Sequence, residues 1–271
     1  MNTDTVKVMC VDCRGEFDAK VRVVLGVRIV PKSCSECSAR HIAAYYEGEK
    51  LRKEAEEVEI RRNWLYSSGV PAHYQGKGFV QFDRVAQPKG YDACYDYANG
   101  LTRETFKGYR SLVLTSPGHW GVGKTHLVCA IAQQIIAAWP ADGLRPVIVI
   151  TESDLFARIQ ATFNAPKWDD PASPRETETS IVNILCRVPL LVLDDLGKVE
   201  RADPRFVQRT LFAIVNGRYN NNLPMVVTAN LTVERLRDYL GGENNEASLD
   251  RLLEMCGGKV IQMTGKSWRR A

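Results

Sequence analysis

The residues best suited to chemistry begin with Gly118-His119-Trp120-Gly121-Val122-Gly123-Lys124-Thr125, which fits the pattern G-x-x-x-x-G-K-[ST]. It follows the apolar run Leu112-Val113-Leu114 and leads into a helix-like stretch that opens with His126. In that context the pattern is a phosphate cradle. Its glycines let backbone N–H groups surround an anion, and the helix N-terminus adds a favourable dipole. Lys124 is placed to reach the β and γ phosphates of a nucleotide as a point charge, and the Thr125 hydroxyl to hold Mg²⁺. Residues 118–126 are therefore the expected nucleotide-contacting segment. A second apolar run, Leu190-Leu191-Val192-Leu193, ends on two carboxylates, Asp194 and Asp195. Two acids at the end of a buried strand are costly unless a cation or ligand compensates them. Asp194 is expected to serve Mg²⁺, and Asp195 to orient or deprotonate an attacking water.

A different chemistry is written near the start. Cys10-x-x-Cys13 and Cys34-x-x-Cys37 stand at the upper edge of the spacing that structural zinc sites use. Four thiolates close a tetrahedral shell with no open position, so Zn²⁺ there would stabilise a small fold and take no part in catalysis. Gly15, after Cys13, is expected to supply the positive φ of a knuckle turn. His41 could replace a ligand, but it reads more simply as a helix-surface histidine. Cys94, Cys129, Cys186 and Cys256 are scattered in helix-like stretches and read as small core residues.

The elements that must position these groups follow from patterning. Residues 1–40 carry short β-like runs, Val6-Lys7-Val8 and Val21-Arg22-Val23-Val24, and form a separate zinc-ribbon module. Residues 38–65 contain no proline and are rich in Glu, Lys, Arg and Ala, which predicts a long, mostly solvated helix. Gly69 and Pro71 break it, and Gly76, Gly78 and Pro88 predict an irregular stretch to residue 90 that is a linker or an arm lying on the next domain. Residues 41–90 are thus expected to be helix and linker, and 91–271 a second domain. Strands are expected at 111–115, 147–151, 190–194, 225–229 and 259–263. Helices are expected near 124–138, 153–163, 175–187, 204–220, 232–240 and 247–255. Apolar strands alternating with helices specify an α/β fold with a five-stranded parallel sheet covered on both faces.

The whole has 271 residues, with 36 Lys+Arg against 32 Asp+Glu. A net charge of +4 is too small to argue nucleic-acid binding by itself, although the surplus collects after Lys259. No apolar run reaches the roughly 18 residues needed to span a bilayer, and the start lacks the regions of a signal peptide. A cytoplasmic protein with reduced thiols and no membrane association is expected.

Beyond these readings the chain resembles a known family. The phosphate loop, Leu191-Val192-Leu193-Asp194-Asp195-Leu196-Gly197, Arg218-Tyr219-Asn220-Asn221-Asn222-Leu223-Pro224 leading into Val226-Val227-Thr228-Ala229-Asn230-Leu231, and Leu249-Asp250-Arg251-Leu252 with Lys266-Ser267-Trp268-Arg269 resemble the AAA+ ATPases of replicative helicase loaders. These are the bacterial DnaC and DnaI type, with the IstB transposition ATPases as close relatives. The resemblance covers about residues 90 to 270 and implies a P-loop AAA+ fold. It implies that Asn230 is the sensor 1 residue positioning water and γ-phosphate, Arg251 the arginine finger offered to a neighbouring subunit, and Arg269 the sensor 2 arginine. Arg218 is a weaker match to a second intersubunit contact. Asp195 stands where many AAA+ proteins have Glu; one methylene less implies slow hydrolysis, stimulated by partner or DNA.

The function implied is an ATPase that binds ATP and Mg²⁺, self-associates through AAA+ interfaces, and delivers a DnaB-type replicative DNA helicase onto single-stranded DNA. The N-terminal module with its helix is the expected helicase-binding region. An IstB-like ATPase that delivers a transposase to target DNA is the closest alternative. A zinc-ribbon DNA-binding or regulatory module on a nucleotide-responsive scaffold is a third.

Overall fold

The structure is a computed structural model that describes residues 4–25, 27–163, 175–198, 203–241 and 247–268. The chain separates into two units, Met1–Glu59 and Ile60–Ala271. In the first, β1 (Thr5–Met9) pairs antiparallel with β2 (Glu16–Lys20), and β3 (Arg22–Val24) with β4 (Val27–Ile29). The partners β2 and β4 are not evident from sequence, because one carries three charges in five residues and the other is only three residues long. Among the described residues of this unit the buried hydrophobic residues are Cys10, Ala19, Val21 and Cys37. Full burial of a large aliphatic side chain contributes about 1.5–3 kcal/mol, and this unit has almost none, so it depends on another source of stability.

Helix α1 (Ser35–Ser67) starts in the first unit, and its last turns belong to the second, where Trp64 is buried. The second unit accordingly begins at Ile60 rather than near residue 91. The segment after α1 is irregular as expected, with 3₁₀ turns at Ala72–Tyr74 and Phe79–Gln81. It is nonetheless core, since Val70 and Phe79 are buried in the same cluster as Leu127 and Ile131. The carbonyl of Ser68 accepts the Val149 N–H at 2.7 Å, which covers the edge of the sheet. Gly69 makes this approach possible: at φ +87°, an added Cβ would lie 1.9 Å from the Val149 carbonyl oxygen. Helix α2 (Pro88–Gly100) replaces the expected irregular stretch around Pro88. Proline near a helix start gives up an N–H that has no intrahelical partner there.

The remaining elements of the second unit are β5 (Leu112–Thr115), α3 (Lys124–Ala138), β6 (Val147–Thr151), α4 (Glu152–Phe163), α5 (Glu178–Arg187), β7 (Leu190–Leu196), α6 (Pro204–Asn220), β8 (Met225–Ala229), α7 (Val233–Leu240), α8 (Ala247–Met255) and β9 (Val260–Gln262). The strands form one parallel sheet in the order β6-β7-β8-β5-β9. Because side chains alternate across a strand, the sheet feeds two cores. Leu112, Leu114, Val147, Val149, Leu190, Val192 and Val226 face the cluster built on α2 and α3. Val113, Ile148, Ile150, Leu191, Leu193, Met225 and Val227 face the cluster built on α4 to α8. This is the five-stranded α/β sheet with helices on both faces of the P-loop AAA+ fold. Cys94, Cys129, Cys186 and Cys256 are buried core residues. Among the described residues no helix is long and apolar enough to cross a membrane.

Arg218 does not serve as an intersubunit contact. It is fully buried, and its guanidinium donates to the carbonyls of Leu185 at 2.6 Å, Val188 at 3.0 Å, Pro189 at 3.1 Å and Pro224. Burial holds its pKa down to about 10, so it stays charged at neutral pH. The planar fork thus ties the end of α5 and the entrances of β7 and β8 into one node. Arg218→Ala strands these carbonyls, and urea unfolding should show a loss of about 3 kcal/mol or more. Arg218→Lys, with a single ammonium, should recover only part of it. A loss below about 1 kcal/mol for Arg218→Ala would contradict this role.

Candidate functional site

Three parallel strands end side by side at the phosphate loop. β5 leads to Ser116, β7 carries Asp194 and Asp195, and β8 leads to Asn230. Ligands of open α/β sheets bind outside such carboxyl ends. In the loop, Gly118, Gly121 and Gly123 all have positive φ. At Gly123, φ +98°, an added Cβ would lie 2.5 Å from the Phe82 ring, so the loop closes under that ring only without a side chain. Lys124 and Thr125 then open α3.

The polar groups form one connected network. Lys124 Nζ donates to Asn230 Oδ1 at 2.7 Å and to Ser116 Oγ. Ser116 Oγ donates in turn to the His119 carbonyl at 2.7 Å. Asn230 Nδ2 donates to Asp195 Oδ1 at 2.9 Å, and Lys198 Nζ is paired with Asp195 Oδ2. Thr125 Oγ1 donates to Asp194 Oδ2 at 2.9 Å, and the Thr228 hydroxyl donates to Asp194 Oδ1 while accepting the Asp195 N–H at 2.8 Å. Asp194 is buried, which pushes its carboxyl pKa up despite the bonds from Thr228 and Thr125. The hydroxyl and carboxylate oxygens beside it suit a hard divalent cation such as Mg²⁺. Asp195 has the left-handed φ +66°, uncommon for a non-glycine residue, and turns its carboxylate toward Asn230.

A pocket of ≈ 350 Å³ opens over this network. Trp120, Gly121, Val122, Gly123, Lys124, Thr125, His126, Asp195 and Asn230 all line it. Gly118 and His119 do not, and Asp194 lies behind it, in contact through Thr125. His119 instead meets the Gly265 carbonyl through Nδ1 at 3.2 Å. His126 packs edge-on against Phe82, and its Nε2 meets the Gly78 carbonyl at 3.0 Å; burial lowers its pKa. Arg251 does not line the pocket. It stands on α8 with its guanidinium 5.3 Å from the Phe212 ring and 5.7 Å from the Tyr219 ring. Arg269 lies outside the described residues, although Trp268 before it reaches the pocket and donates its backbone N–H to the Gly121 carbonyl at 3.1 Å.

Several site residues were given no role by the sequence. Tyr74 and Phe82, from the segment before α2, form an aromatic wall to the pocket. Ser116 and Thr228 sit in apolar runs as ordinary strand-end polar residues, and their only signal is position beside Lys124 and Asp194. Lys198 follows directly on the Leu191–Gly197 motif but was given no role there, and Glu152 has no motif around it.

In the first unit, the Sγ atoms of Cys10, Cys13, Cys34 and Cys37 all lie within 4.8 Å of one another, and Cys13 and Cys34 are 3.8 Å apart. A tetrahedral site with Zn–S bonds of 2.3 Å has edges of about 3.8 Å, so the donor set fits zinc. Backbone N–H groups of Cys13 and Cys34 hold the Cys10 thiol down to about 6, whereas burial and its sulfur neighbours push Cys37 up to about 12. All four sulfurs can be thiolates together only with a cation to offset their charge. His41 lies apart, its Nε2 3.2 Å from Asp12 Oδ1. The positive φ of the first knuckle belongs to Arg14, at +58°, and not to Gly15.

Comparison with known proteins agrees with this fold. The chain is 29% identical to the replicative helicase loader DnaC of Buchnera aphidicola subsp. Baizongia pistaciae (strain Bp), over 69% of this chain and 68% of that protein. It is 24% identical to the phage-like element PBSX protein XkdC of Bacillus subtilis (strain 168), over 75% and 71%. The crystal structure of the DnaC helicase loader is similar in fold, with a TM-score of 0.53 and 22% identity over 72% of this chain and 100% of that one. That of DnaI has a TM-score of 0.53 with 20% identity, over 72% and 94%. The profile of the IstB-like ATP binding proteins matches residues 106–271, which hold the phosphate loop, both acidic residues and Asn230, and the chain belongs to that family.

Proposed function

We propose that this protein is an ATP-dependent helicase loader, which binds a hexameric replicative DNA helicase and delivers it onto single-stranded DNA. The observation that carries the ATPase part is the continuous chain Lys124–Asn230–Asp195 at the mouth of the phosphate loop, with Thr125 and Asp194 joined beside it. In this reading residues 118–126 cradle the phosphates and Lys124 binds the β and γ phosphates. Thr125 and Asp194 would hold Mg²⁺, whose charge offsets that of the phosphate oxygens. Asn230 orients the attacking water and Asp195 accepts its proton. Arg269 contacts the γ-phosphate of its own subunit's nucleotide. Arg251, which does not line its own pocket, serves the nucleotide of a neighbouring subunit. Tyr74 and Phe82 form an apolar wall for the base.

The loader part is supported by the first unit and by the likeness to DnaC. Val23, Val24, Leu25, Val27 and Ile29 of the β3–β4 hairpin are all exposed. Contiguous exposed apolar side chains mark protein-binding surfaces, and this unit is the proposed grip on the helicase. Zn²⁺ held by the four cysteines would fix the two knuckles that fold it. Replacing Cys10 and Cys13 by Ser should release about one zinc per chain and unfold the first unit, seen by metal analysis and proteolysis, with ATP affinity retained. Wild-type protein from zinc-replete cells that carries no metal would contradict the site.

Loading is tested with the purified helicase of the source organism, closed circular single-stranded DNA and ATP. Wild-type chain should transfer the helicase to the circle. Lys124→Ala should fail for want of ATP binding, and Arg251→Ala should fail while still binding ATP. Mixed together, the two should recover part of the activity at interfaces that join an intact finger to an intact pocket. Capture of a transposase in place of the helicase would favour the IstB-like reading. Loss of ATP binding by Arg251→Ala would put that arginine in its own pocket.

A further inference from the structure

Resting on the nucleotide reading above, we propose that Gln133 is a positioning residue, which holds the segment carrying Tyr74 and Phe82 and so sets how much the base adds to nucleotide binding. Gln133 is a half-buried residue of α3, flanked by the buried Ile131, Ala132, Ile135 and Ile136, and it does not line the pocket. Its carboxamide is committed to the backbone of the segment before α2. Oε1 accepts the Gly76 N–H at 2.7 Å, and Nε2 donates to the carbonyls of Tyr74 at 3.0 Å and Lys77 at 3.1 Å. Nε2 also meets the Cys129 carbonyl of its own helix at 3.2 Å, which orients the side chain.

The segment needs these partners. Val70 and Phe79 are buried in the core, but residues 75–78 between the two 3₁₀ turns belong to no helix or strand, so no ladder of hydrogen bonds fixes them. Side chains of α3 take its place. His126 lies two turns before Gln133 on the same face of the helix. A carbonyl only accepts, so His126 Nε2 carries the proton and donates to the Gly78 carbonyl at 3.0 Å. Two attachments seven residues apart thus lay residues 74–78 along α3.

The consequence falls on the pocket. Tyr74 and Phe82 flank this stretch and line the pocket, with ring centroids 5.9 and 5.2 Å from that of His126. A wall fixed before the nucleotide arrives spares the entropy of ordering it on binding. The polar network of the phosphate loop runs instead through Lys124, Ser116, Asn230, Thr125 and Asp194, none of which touches Gln133. Loss of the carboxamide therefore acts on the base contact and spares the phosphates.

The test titrates the full chain with Mg²⁺ and either ATP or inorganic triphosphate, which has the phosphates without the base, by calorimetry. Gln133→Leu, which removes the carboxamide, should weaken ATP binding by about tenfold and leave triphosphate affinity within about twofold of wild type. Gln133→Glu keeps an acceptor for Gly76 but turns a carboxylate oxygen toward two carbonyls, and it should show the same split. Tyr74→Ala, which removes the wall itself, should do so as well. An unchanged ATP affinity for Gln133→Leu beside a loss for Tyr74→Ala overturns the positioning role and leaves the base wall standing. An equal loss of ATP and triphosphate binding overturns it too, because the residue then acts on the whole domain. Failure of both Gln133 variants to fold does the same, by making the residue part of the fold and not of the site. If neither Gln133→Leu nor Tyr74→Ala alters ATP affinity, the base wall is wrong and the positioning role falls with it. If the wild type binds neither ligand, the nucleotide site itself is wrong.

Discussion

Charge placed at the ends of buried parallel strands is the constraint on which this molecule turns. Asp194 is buried behind an apolar strand, and Lys124 is buried at the start of the helix that fills the centre of the fold. Either charge left without partners there would cost several kcal/mol. The polar residues at the strand ends answer that cost. Thr228 and Thr125 bracket Asp194, Ser116 and Asn230 bracket Lys124, and Asn230 passes the connection on to Asp195. A set of groups so arranged is preorganised for a polyanion and a cation, since both find their partners in place when they arrive.

The sheet can support this because its two faces are filled independently. Alternation along β6, β7 and β8 sends successive residues to opposite cores, so the strand ends are fixed by packing on both sides and by the Arg218 node at the entrances of β7 and β8. The first unit solves the opposite problem. It has too little apolar burial to hold its hairpins, and four sulfurs lie within bonding range of a single cation, which would take the place of a core. Its apolar side chains are thereby left on the surface, where a partner can use them.

The sequence announced the parts that obey a strong local rule. Five apolar runs separated by helical stretches gave the sheet, the phosphate loop announced itself by glycine spacing, and paired cysteines pointed to one cluster. What escaped notice depends on contacts between distant residues. Residues 66–90 read as a linker or an arm on the next domain because glycine and proline punctuate them, and Trp64 as part of a solvated helix, yet Trp64, Val70 and Phe79 are core because α3 lies against them. Arg218 read as a match to an intersubunit contact, since nothing local shows that four carbonyls surround it. Gly15 read as the turn residue, but the chain bends at Arg14. Lys198 and Glu152 acquire meaning only when the loop after β7 is folded back onto α4 and α7.

The network around Lys124, Asp194 and Asp195 is arranged as a triphosphate and Mg²⁺ site would be. Calorimetric titration of the wild-type chain with ATP, with and without Mg²⁺, and with adenosine as the phosphate-free control, tests it most directly. One ATP per chain, tighter binding with Mg²⁺ and far weaker binding of adenosine are expected. No binding at millimolar ATP, or adenosine binding as tightly as ATP, would contradict it.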